Sequence, residues 1–405
     1  MQERYSRRQA KFTDYVYDIV MLLFVVFFVA FDNVRPAYVI IQWTFIILFL
    51  IRAITHNMQI QFYTYWSIVY LIIGLISTLL SDYISIAAGM LISVIQVLLV
   101  TNLLLPYAQE NEANLIKFQN AVLLAFLALG IRYLIFTPFN DVLRSRAGSS
   151  IGYNANEFGF IFAYGTTIAV FLAHDRKSKL YLIIAILFGF LCLISGSRTA
   201  FAVMIIALAI YTMGFYYIKG GLSSPIKGIF ILVILLIGIW VLIMNNEFLY
   251  SILGSRIDSF YLTLFKGQAT EGSATTRVGM IREALSIFFE APLLGHGLNS
   301  FRVISGYSAY SHNNYTELLV SIGLIGTTVY YILFLSMLFK SIKLFKKTKS
   351  LFYLCPIALV AAALIGDLGT VSYYSESLFI VWVICYLQSY TRKGALYNKC
   401  TLVYA

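Results

Sequence analysis

Apolar stretches of about 17 to 25 residues recur along the whole chain, and each is long enough to cross a bilayer as an α-helix. The strict alternation of apolar and polar positions that a membrane barrel needs is missing. The predicted spans are residues 16–32, 37–54, 63–80, 84–106, 115–137, 157–174, 180–195, 199–218, 226–244, 315–339, 351–369 and 372–390. The pattern therefore predicts an all-α polytopic membrane protein with about twelve transmembrane helices.

The polar intervals divide the chain into four parts. We predict N-terminal transmembrane helices over residues 1–137, and central helices with arginine-bearing outer loops over residues 138–244. A long loop follows over residues 245–314, and C-terminal helices with a tail occupy residues 315–405. Because a loop of this length exceeds an ordinary connector, we expect it to contribute to function.

Composition agrees with a membrane protein, since 60% of the residues are hydrophobic and 12% are charged, with a mean hydropathy of +0.83. The net charge of +11 could indicate nucleic acid. However, the loops on the side of the two termini hold 19 of the 29 lysines and arginines, which marks that side as cytoplasmic. We therefore expect no nucleic-acid partner, and we expect the long loop on the extracytoplasmic side of a cytoplasmic membrane.

Arginine makes up nine of the ten basic residues on the outer side. Its planar guanidinium matches a phosphate with two parallel hydrogen bonds and stays charged at any working pH. Arg144 and Arg146 lie in the loop over residues 138–159, where Asn156 with Glu157 is the expected cap of the next helix. Ion pairs with outward acids, which would only fix the loops, are the alternative to an anion site.

A third outward arginine lies at a helix junction, SGSRTAFAV (195–203). The small residues permit a sharp break between two spans, and Thr199 is the expected cap of the second. Arg198 then lies at the start of that helix, where its charge adds to the positive end of the helix dipole. This arrangement predicts an anion-binding site.

The long outer loop contains a predicted amphipathic helix, TTRVGMIREALSIFFEAP (275–292), which ends before Pro292. We expect this helix to lie on the outer membrane surface. Arg277 is expected in its first turn and Arg282 on its polar face. An arginine in the first turn opposes the helix dipole unless an anion joins it, which favours a ligand contact for Arg277.

The loop closes with SHNNYTELL (311–319), in which Asn314 and Glu317 have the spacing of a capping box. His312 and Asn313 are therefore predicted just before the next helix, at the boundary between water and membrane. The other outward histidine, His296, lies in a glycine turn and is expected to form local hydrogen bonds. His312 is thus the candidate for acid–base chemistry.

The polar residues suit one chemistry better than others. There is no DxD motif, no metal-ligand spacing among the outward acids and no GxxxxGK[ST] loop, so we expect neither a metal nor another cofactor. An imidazole beside arginines suits the displacement of a diphosphate: the arginines hold the leaving charge while the imidazole takes a proton from an attacking hydroxyl. Because nucleotide sugars are absent outside the cytoplasm, we expect a lipid-linked donor.

Three motifs resemble the O-antigen ligase and O-antigen polymerase superfamily of bacterial membranes. His312 and Asn313, followed after nine residues by Gly323 and Gly326, resemble its signature. GHGLNSF (295–301) resembles the glycine-rich turn before that signature. SGSRTA (195–200) resembles the arginine-bearing helix junction of the family.

The resemblance implies a metal-independent glycosyltransferase of the GT-C type in the bacterial inner membrane, acting on oligosaccharides linked to undecaprenyl diphosphate. It implies a flippase and a chain-length regulator as partners in the membrane. The residue roles that it implies are His312 as base, Arg198 and Arg277 as diphosphate contacts, and Arg146, Arg282 and Asn313 as further substrate contacts. Polymerisation of O-antigen, capsular or exopolysaccharide repeats is favoured over ligation to a lipid A core.

A transporter or flippase of polysaccharide intermediates is the alternative from another class. It would use the arginines as an anion path, and it predicts charged or broken helices near the midplane and a repeat between the two halves. The sequence contains neither feature, because the polar residues gather at the outer edge and the long loop has no counterpart in the other half.

Overall fold

The computed structural model describes residues 2–56, 60–138, 146–220, 224–266 and 272–391. Within these ranges the chain forms helices joined by turns, and it contains no strand. The helices are α1 Gln2–Ala30, α2 Arg35–Thr55, α3 Phe62–Leu79, α4 Ile84–Gln109, α5 Glu112–Phe136, α6 Ala155–Arg176, α7 Lys179–Ile194, α8 Arg198–Gly220, α9 Ser224–Asn245, α10 Glu247–Leu249, α11 Ser255–Lys266, α12 Gly272–Glu290, α13 Phe301–Ile304, α14 Asn314–Thr348, α15 Leu351–Gly366 and α16 Glu376–Tyr390.

Eight of the described helices are long and apolar enough to cross a membrane, namely α2 to α6, α8, α9 and α14. Three further apolar helices, α7, α15 and α16, are shorter. Each of the twelve intervals predicted from hydropathy overlaps a helix, so the all-helical architecture is confirmed. The number of helices that actually cross a membrane stays a prediction, as do the boundaries of the four parts of the chain.

The helices pack around one large apolar core, in which α8 contacts α9 and α15, and α14 contacts α3 and α15. A small second cluster lies between α12 and α14, where Met280, Ala284 and Ile287 pack against Phe301 and Val320. The sequence predicted α12 as a helix, and the structure confirms it. The small cluster fixes α12 to the start of α14.

Gly323 interrupts α14 with a left-handed, non-helical conformation (φ 65°, ψ −170°). The segment 292–297 lies against this break, and a Cβ atom on Gly323 would be 2.3 Å from the carbonyl carbon of Leu293. Four backbone hydrogen bonds join the two segments: His296 N to Val320 O (2.8 Å), Gly297 N to Ser321 O (2.9 Å), Leu324 N to Pro292 O (2.8 Å) and Ile325 N to Leu293 O (3.3 Å). The two glycine motifs therefore meet in space, and Gly323 admits the segment 292–297 into the break in the helix.

Three helix starts differ from the expected ones. Asn154, not Asn156, caps α6, because its side chain accepts from the Asn156 N–H at 2.8 Å. Ser197, not Thr199, caps α8: its hydroxyl accepts from the Ala200 N–H at 3.3 Å. In each case the cap lies two residues earlier than predicted, and its side-chain oxygen accepts from a free N–H of the first turn.

The N-cap of α14 is Asn313, whereas the sequence predicted Asn314. The Asn313 side chain accepts from the N–H groups of Tyr315 (2.9 Å) and Thr316 (3.1 Å). The predicted capping box is wrong, because Glu317 instead accepts from the Ser311 N–H at 2.8 Å. Both residues thereby hold the loop that carries His312.

Candidate active site

Four arginines from separate parts of the chain converge beside the start of α8. Burial is the largest cause that lowers the pKa of Arg146 to about 10, and the positive charges of Arg256, Arg277 and Arg198 lower it further. Arg198 also donates from Nη1 to the Arg256 carbonyl at 2.7 Å. We call Arg146, Arg198, Arg256 and Arg277 the arginine cluster.

The helix junction of the SGSR motif holds this cluster together. Gly196 has a left-handed φ of 61°, and a Cβ atom there would be 2.9 Å from the Ile252 carbonyl oxygen and 3.4 Å from Arg146 Cγ. The turn that leads into α11 therefore lies directly against the junction and brings Arg256 next to Arg198. Arg146 is held by donating to the Ser195 carbonyl (3.0 Å) and to the Asn156 amide oxygen (2.8 Å).

The arginine cluster has an excess of positive charge. No acid among the described side chains lies within 4.0 Å of Arg146 or Arg277 as an ion-pair partner. Burial lowers the pKa of Arg277, and the charge of Arg256 adds to that effect. The Nε of Arg256 is buried and has no hydrogen-bond partner among the described groups. Such a set of partly buried cations is stabilised when an anion enters it.

His312 lies beside the arginine cluster, in the loop before α14. Its backbone is left-handed (φ 56°), a conformation that is uncommon for any residue other than glycine. Burial, followed by the charge of Arg277, lowers the pKa of His312 to about 4. Its Nδ1 is buried and has no hydrogen-bond partner among the described groups. The imidazole is therefore neutral at pH 7 and has an unengaged ring nitrogen.

The unusual backbone of His312 is fixed by the residues on either side of it. The Ser311 hydroxyl donates to the Asn313 carbonyl at 2.9 Å, and the Asn313 amide group donates to the Leu368 carbonyl at 3.3 Å. Since the amide oxygen of Asn313 caps α14, both ends of this side chain are engaged within the protein. Its arrangement suits the positioning of His312, and its predicted contact with substrate stays a prediction.

A buried polar network below the site was not foreseen from the sequence. Asn314 donates to Asp367 and to Tyr331, at 3.1 Å each, and accepts from the N–H groups of Ser372 (3.0 Å) and Tyr373 (3.2 Å). The network joins α14 to the turn between α15 and α16. The sequence does contain a signal for this network. Polar side chains such as Asn314 and Asp367 next to apolar segments are costly unless they have partners.

The structure brings together five of the six site residues predicted from the sequence: Arg146, Arg198, Arg277, His312 and Asn313. It does not bring Arg282 to the cluster, because that side chain is exposed on α12 and is not among the charges that act on His312 or Arg277. Arg277 is not in the first turn of α12, since the helix begins at Gly272. Arg144 lies outside the described residues.

Two residues of the site were missed. Arg256 was counted among the outward arginines, but only the turn against Gly196 brings it to Arg198. Tyr310 packs its ring on the His312 ring at 4.3 Å and accepts from the Asn154 amide group at 3.0 Å. No group of three His, Cys, Asp or Glu side chains among the described residues is arranged to hold a metal ion.

Comparison with known proteins adds one finding to this geometry. Residues 183–331 match the model of a family described as O-antigen ligase. The match contains Arg198, Arg256, Arg277 and His312, and both glycine motifs. No curated protein matches the chain. The resemblance drawn from the three motifs is confirmed over this part of the chain, since all three lie within residues 183–331, which match the O-antigen ligase family model.

Proposed function

We propose that the protein is a membrane glycosyltransferase that polymerises oligosaccharide repeat units linked to undecaprenyl diphosphate into O-antigen, capsular or exopolysaccharide. One observation carries this proposal: the arginine cluster, drawn from four separate elements, lies beside a neutral histidine with an unengaged ring nitrogen. The cluster fits a diphosphate leaving group, and the histidine fits a base. The site would face the extracytoplasmic side of the bacterial inner membrane.

The reaction joins an acceptor hydroxyl to the anomeric carbon of the donor. The oxygen of the hydroxyl attacks that carbon, and the bond from the carbon to the diphosphate oxygen breaks. His312 takes the proton of the hydroxyl, and the diphosphate leaves with the bonding electron pair. The guanidinium groups of the arginine cluster stabilise the developing charge by charge-assisted hydrogen bonds. These fixed cations can supply the stabilisation that a metal ion supplies in other transferases.

Donor binding would also improve the base. Burial is the largest cause that lowers the pKa of His312, and the Arg277 charge lowers it further; a bound diphosphate would offset that charge. The pKa of His312 would then rise towards the ordinary value for histidine, which makes the imidazole a stronger proton acceptor only when the donor is in place. The same arrangement leaves the histidine weakly basic when the site is empty.

An apolar cleft beside the arginine cluster supports a lipid-linked donor. It has a volume of about 310 Å³ and lies between α8 and α9, with Phe201, Trp240 and Ile243 in its wall. Phe201 is one turn from Arg198 along α8. A diphosphate held by the arginines could therefore extend a polyprenyl chain along apolar side chains without burying a polar group.

Transfer of a finished glycan to a lipid A core is the second candidate function, and the description of the matched family as O-antigen ligase favours it. The two reactions share the donor, the leaving group and the base, and they differ in the acceptor. A flippase that delivers the donor and a chain-length regulator are the proposed partners of the polymerase.

A comparison of surface polysaccharide on a size-resolving gel tests the proposal. Cells would carry the wild type, His312→Ala, Arg277→Ala or the control Arg35→Ala, at matched protein levels. Arg35 is also an outward arginine, but it is exposed at the start of α2 and outside the cluster. A polymerase predicts single repeat units for both site variants and a normal ladder for the control.

The other outcomes are distinct. Long chains that remain on the lipid carrier in the site variants would identify a ligase. Normal ladders on the cell surface in both site variants would refute the assignment of the active site. Loss of repeat units from the outer side, with repeat units accumulating inside, would favour the transporter.

A further inference from the structure

A polar cavity is lined by Tyr310, the residue whose ring packs on the His312 ring. It has a volume of about 150 Å³. Its wall includes Asn154, Glu157, Phe160, Tyr310, Thr370 and Ser375. The cavity is bounded by the start of α6, the loop before α14 and the turn between α15 and α16. It contains none of the four arginines, so the diphosphate chemistry proposed above does not account for it.

Charges of both signs act on Tyr310. Burial is the largest cause that raises the pKa of Tyr310; the charges of Arg277 and Arg302 lower it, and the charge of Glu157 raises it. Glu157 accepts from the Ser375 hydroxyl at 2.9 Å. Asp32 and Glu376 are close enough to Glu157 to interact with it electrostatically. The cavity is thus acidic where the neighbouring site is basic.

The volume of the cavity and the side chains that line it define which ligand it can hold. A cavity of about 150 Å³ admits one six-membered ring, as an engineered cavity of that volume admits benzene. The carboxylate of Glu157, the amide of Asn154 and the hydroxyls of Ser375 and Thr370 can hydrogen-bond to ring hydroxyls, while Phe160 offers an apolar wall. A hydroxyl that donates to a carboxylate forms a strong, charge-assisted hydrogen bond. An anionic ring would be repelled by the same carboxylate.

We propose that this cavity binds one pyranose ring of the acceptor glycan, and that it selects a neutral or amino-substituted sugar over a uronic acid. The proposal rests on the proposed glycosyltransferase function and adds the acceptor subsite to it. Tyr310 contacts both the cavity and the His312 ring, so a sugar in the cavity is one aromatic ring away from the base. The donor diphosphate would then lie with the arginine cluster, and the acceptor sugar would lie with Glu157.

Direct binding of simple glycosides tests the subsite without requiring transfer. The full chain would be placed in lipid nanodiscs, because detergents with sugar head groups would compete for the cavity. Saturation-transfer difference NMR would then compare three probes: a methyl hexopyranoside, its 2-amino-2-deoxy analogue and its uronic acid analogue. We expect the first two to bind the wild type and the uronic acid to bind at least about ten-fold more weakly, which corresponds to a difference of about 1.4 kcal/mol.

Two variants and one control locate the binding. Glu157→Gln removes the charge, so we expect it to bring the uronic acid within about three-fold of the neutral glycoside. Thr370→Phe places a bulky ring in the cavity from a partly exposed turn, and we expect it to abolish binding of all three probes. Glu290→Gln removes a carboxylate that is exposed at the end of α12, and we expect wild-type binding. Thermal unfolding of each variant would verify that it is folded.

The subsite is refuted if no glycoside binds the wild type, if the folded Thr370→Phe variant binds as the wild type does, or if the uronic acid binds the wild type as well as the neutral sugar. Its failure is separable from that of the proposed function. Glycoside binding that persists in His312→Ala, with a normal polysaccharide ladder in the same variant, would sustain the sugar site and refute the catalytic assignment. Loss of the ladder in His312→Ala without glycoside binding in the wild type would do the reverse.

Discussion

Replacing Gly323 by alanine should separate the outer helix α12 from the start of α14. The backbone of Gly323 occupies a region that is essentially restricted to glycine, so alanine there costs about 1–3 kcal/mol from backbone strain alone. In addition, the new Cβ atom would lie 2.3 Å from both the carbonyl carbon and the carbonyl oxygen of Leu293. Because neither atom belongs to a flexible side chain, the whole segment 292–297 must move.

The displaced segment loses hydrogen bonds as well. If two of the four backbone hydrogen bonds to α14 break, at about 0.5–1.5 kcal/mol each, the total destabilisation is roughly 2–6 kcal/mol. The displacement also moves α12 and hence Arg277 relative to His312. We therefore expect a lower unfolding temperature and a lost or shortened polysaccharide ladder even when the protein level is matched to that of the wild type.

The assay is thermal unfolding of the purified chain, with the gel ladder as a second readout. Gly238→Ala is the matched control, because Gly238 lies in α9 and a Cβ atom there would meet no atom within 4 Å. That change should be neutral or stabilise by up to about 1 kcal/mol. Unfolding of Gly323→Ala within about 0.5 kcal/mol of the control, with a full-length ladder, would refute the argument that the two glycine motifs depend on each other.

Three further predictions concern the site itself. Arg277→Gln should raise the pKa of His312 from about 4, because the change removes a positive charge. NMR titration of labelled histidine rings would measure this pKa, and the chain has only four histidines to assign. An unchanged pKa of His312 would contradict the prediction. Asn313→Ala should destabilise the chain by about 1 kcal/mol through loss of the α14 cap, whereas Asn313→Ser should retain most of the wild-type stability. Thermal unfolding would measure both variants. Equal stability of the two variants would argue against the cap. Asn314→Ala should destabilise the chain by about 2–4 kcal/mol, since Asp367 and two backbone N–H groups lose buried partners. A stability loss below about 1 kcal/mol would show that the polar network is not needed for folding stability.

The positions of the helices could be predicted from the sequence because that information is local. A run of apolar residues is helical in a membrane whatever its neighbours do, since its backbone groups must be satisfied within the segment. The helical character of α12 followed in the same way from apolar residues at helical spacing. The side of the membrane on which the arginines lie stays a prediction from the distribution of positive charge.

Helix starts were harder, and the errors were systematic. Asn154, Ser197 and Asn313 cap their helices, although the residues predicted were Asn156, Thr199 and Asn314. Several polar residues stand next to one another at each junction, and each of them can cap equally well by composition. The choice depends on the backbone angles of the preceding turn, which are set by contacts with distant segments.

The arginine cluster depended on the tertiary structure most of all. Nothing in the sequence distinguishes Arg256 from Arg282 as a member of the arginine cluster. The difference arises because Gly196 admits the turn before α11, whereas Arg282 lies on the face of α12 that does not contact the bundle. The sequence determined by itself that this protein is a set of apolar helices, with arginines and one histidine in the segments that join them. Only packing decided which of these charges meet, because the distance between side chains far apart in the chain is set by the contacts of the helices and turns that carry them.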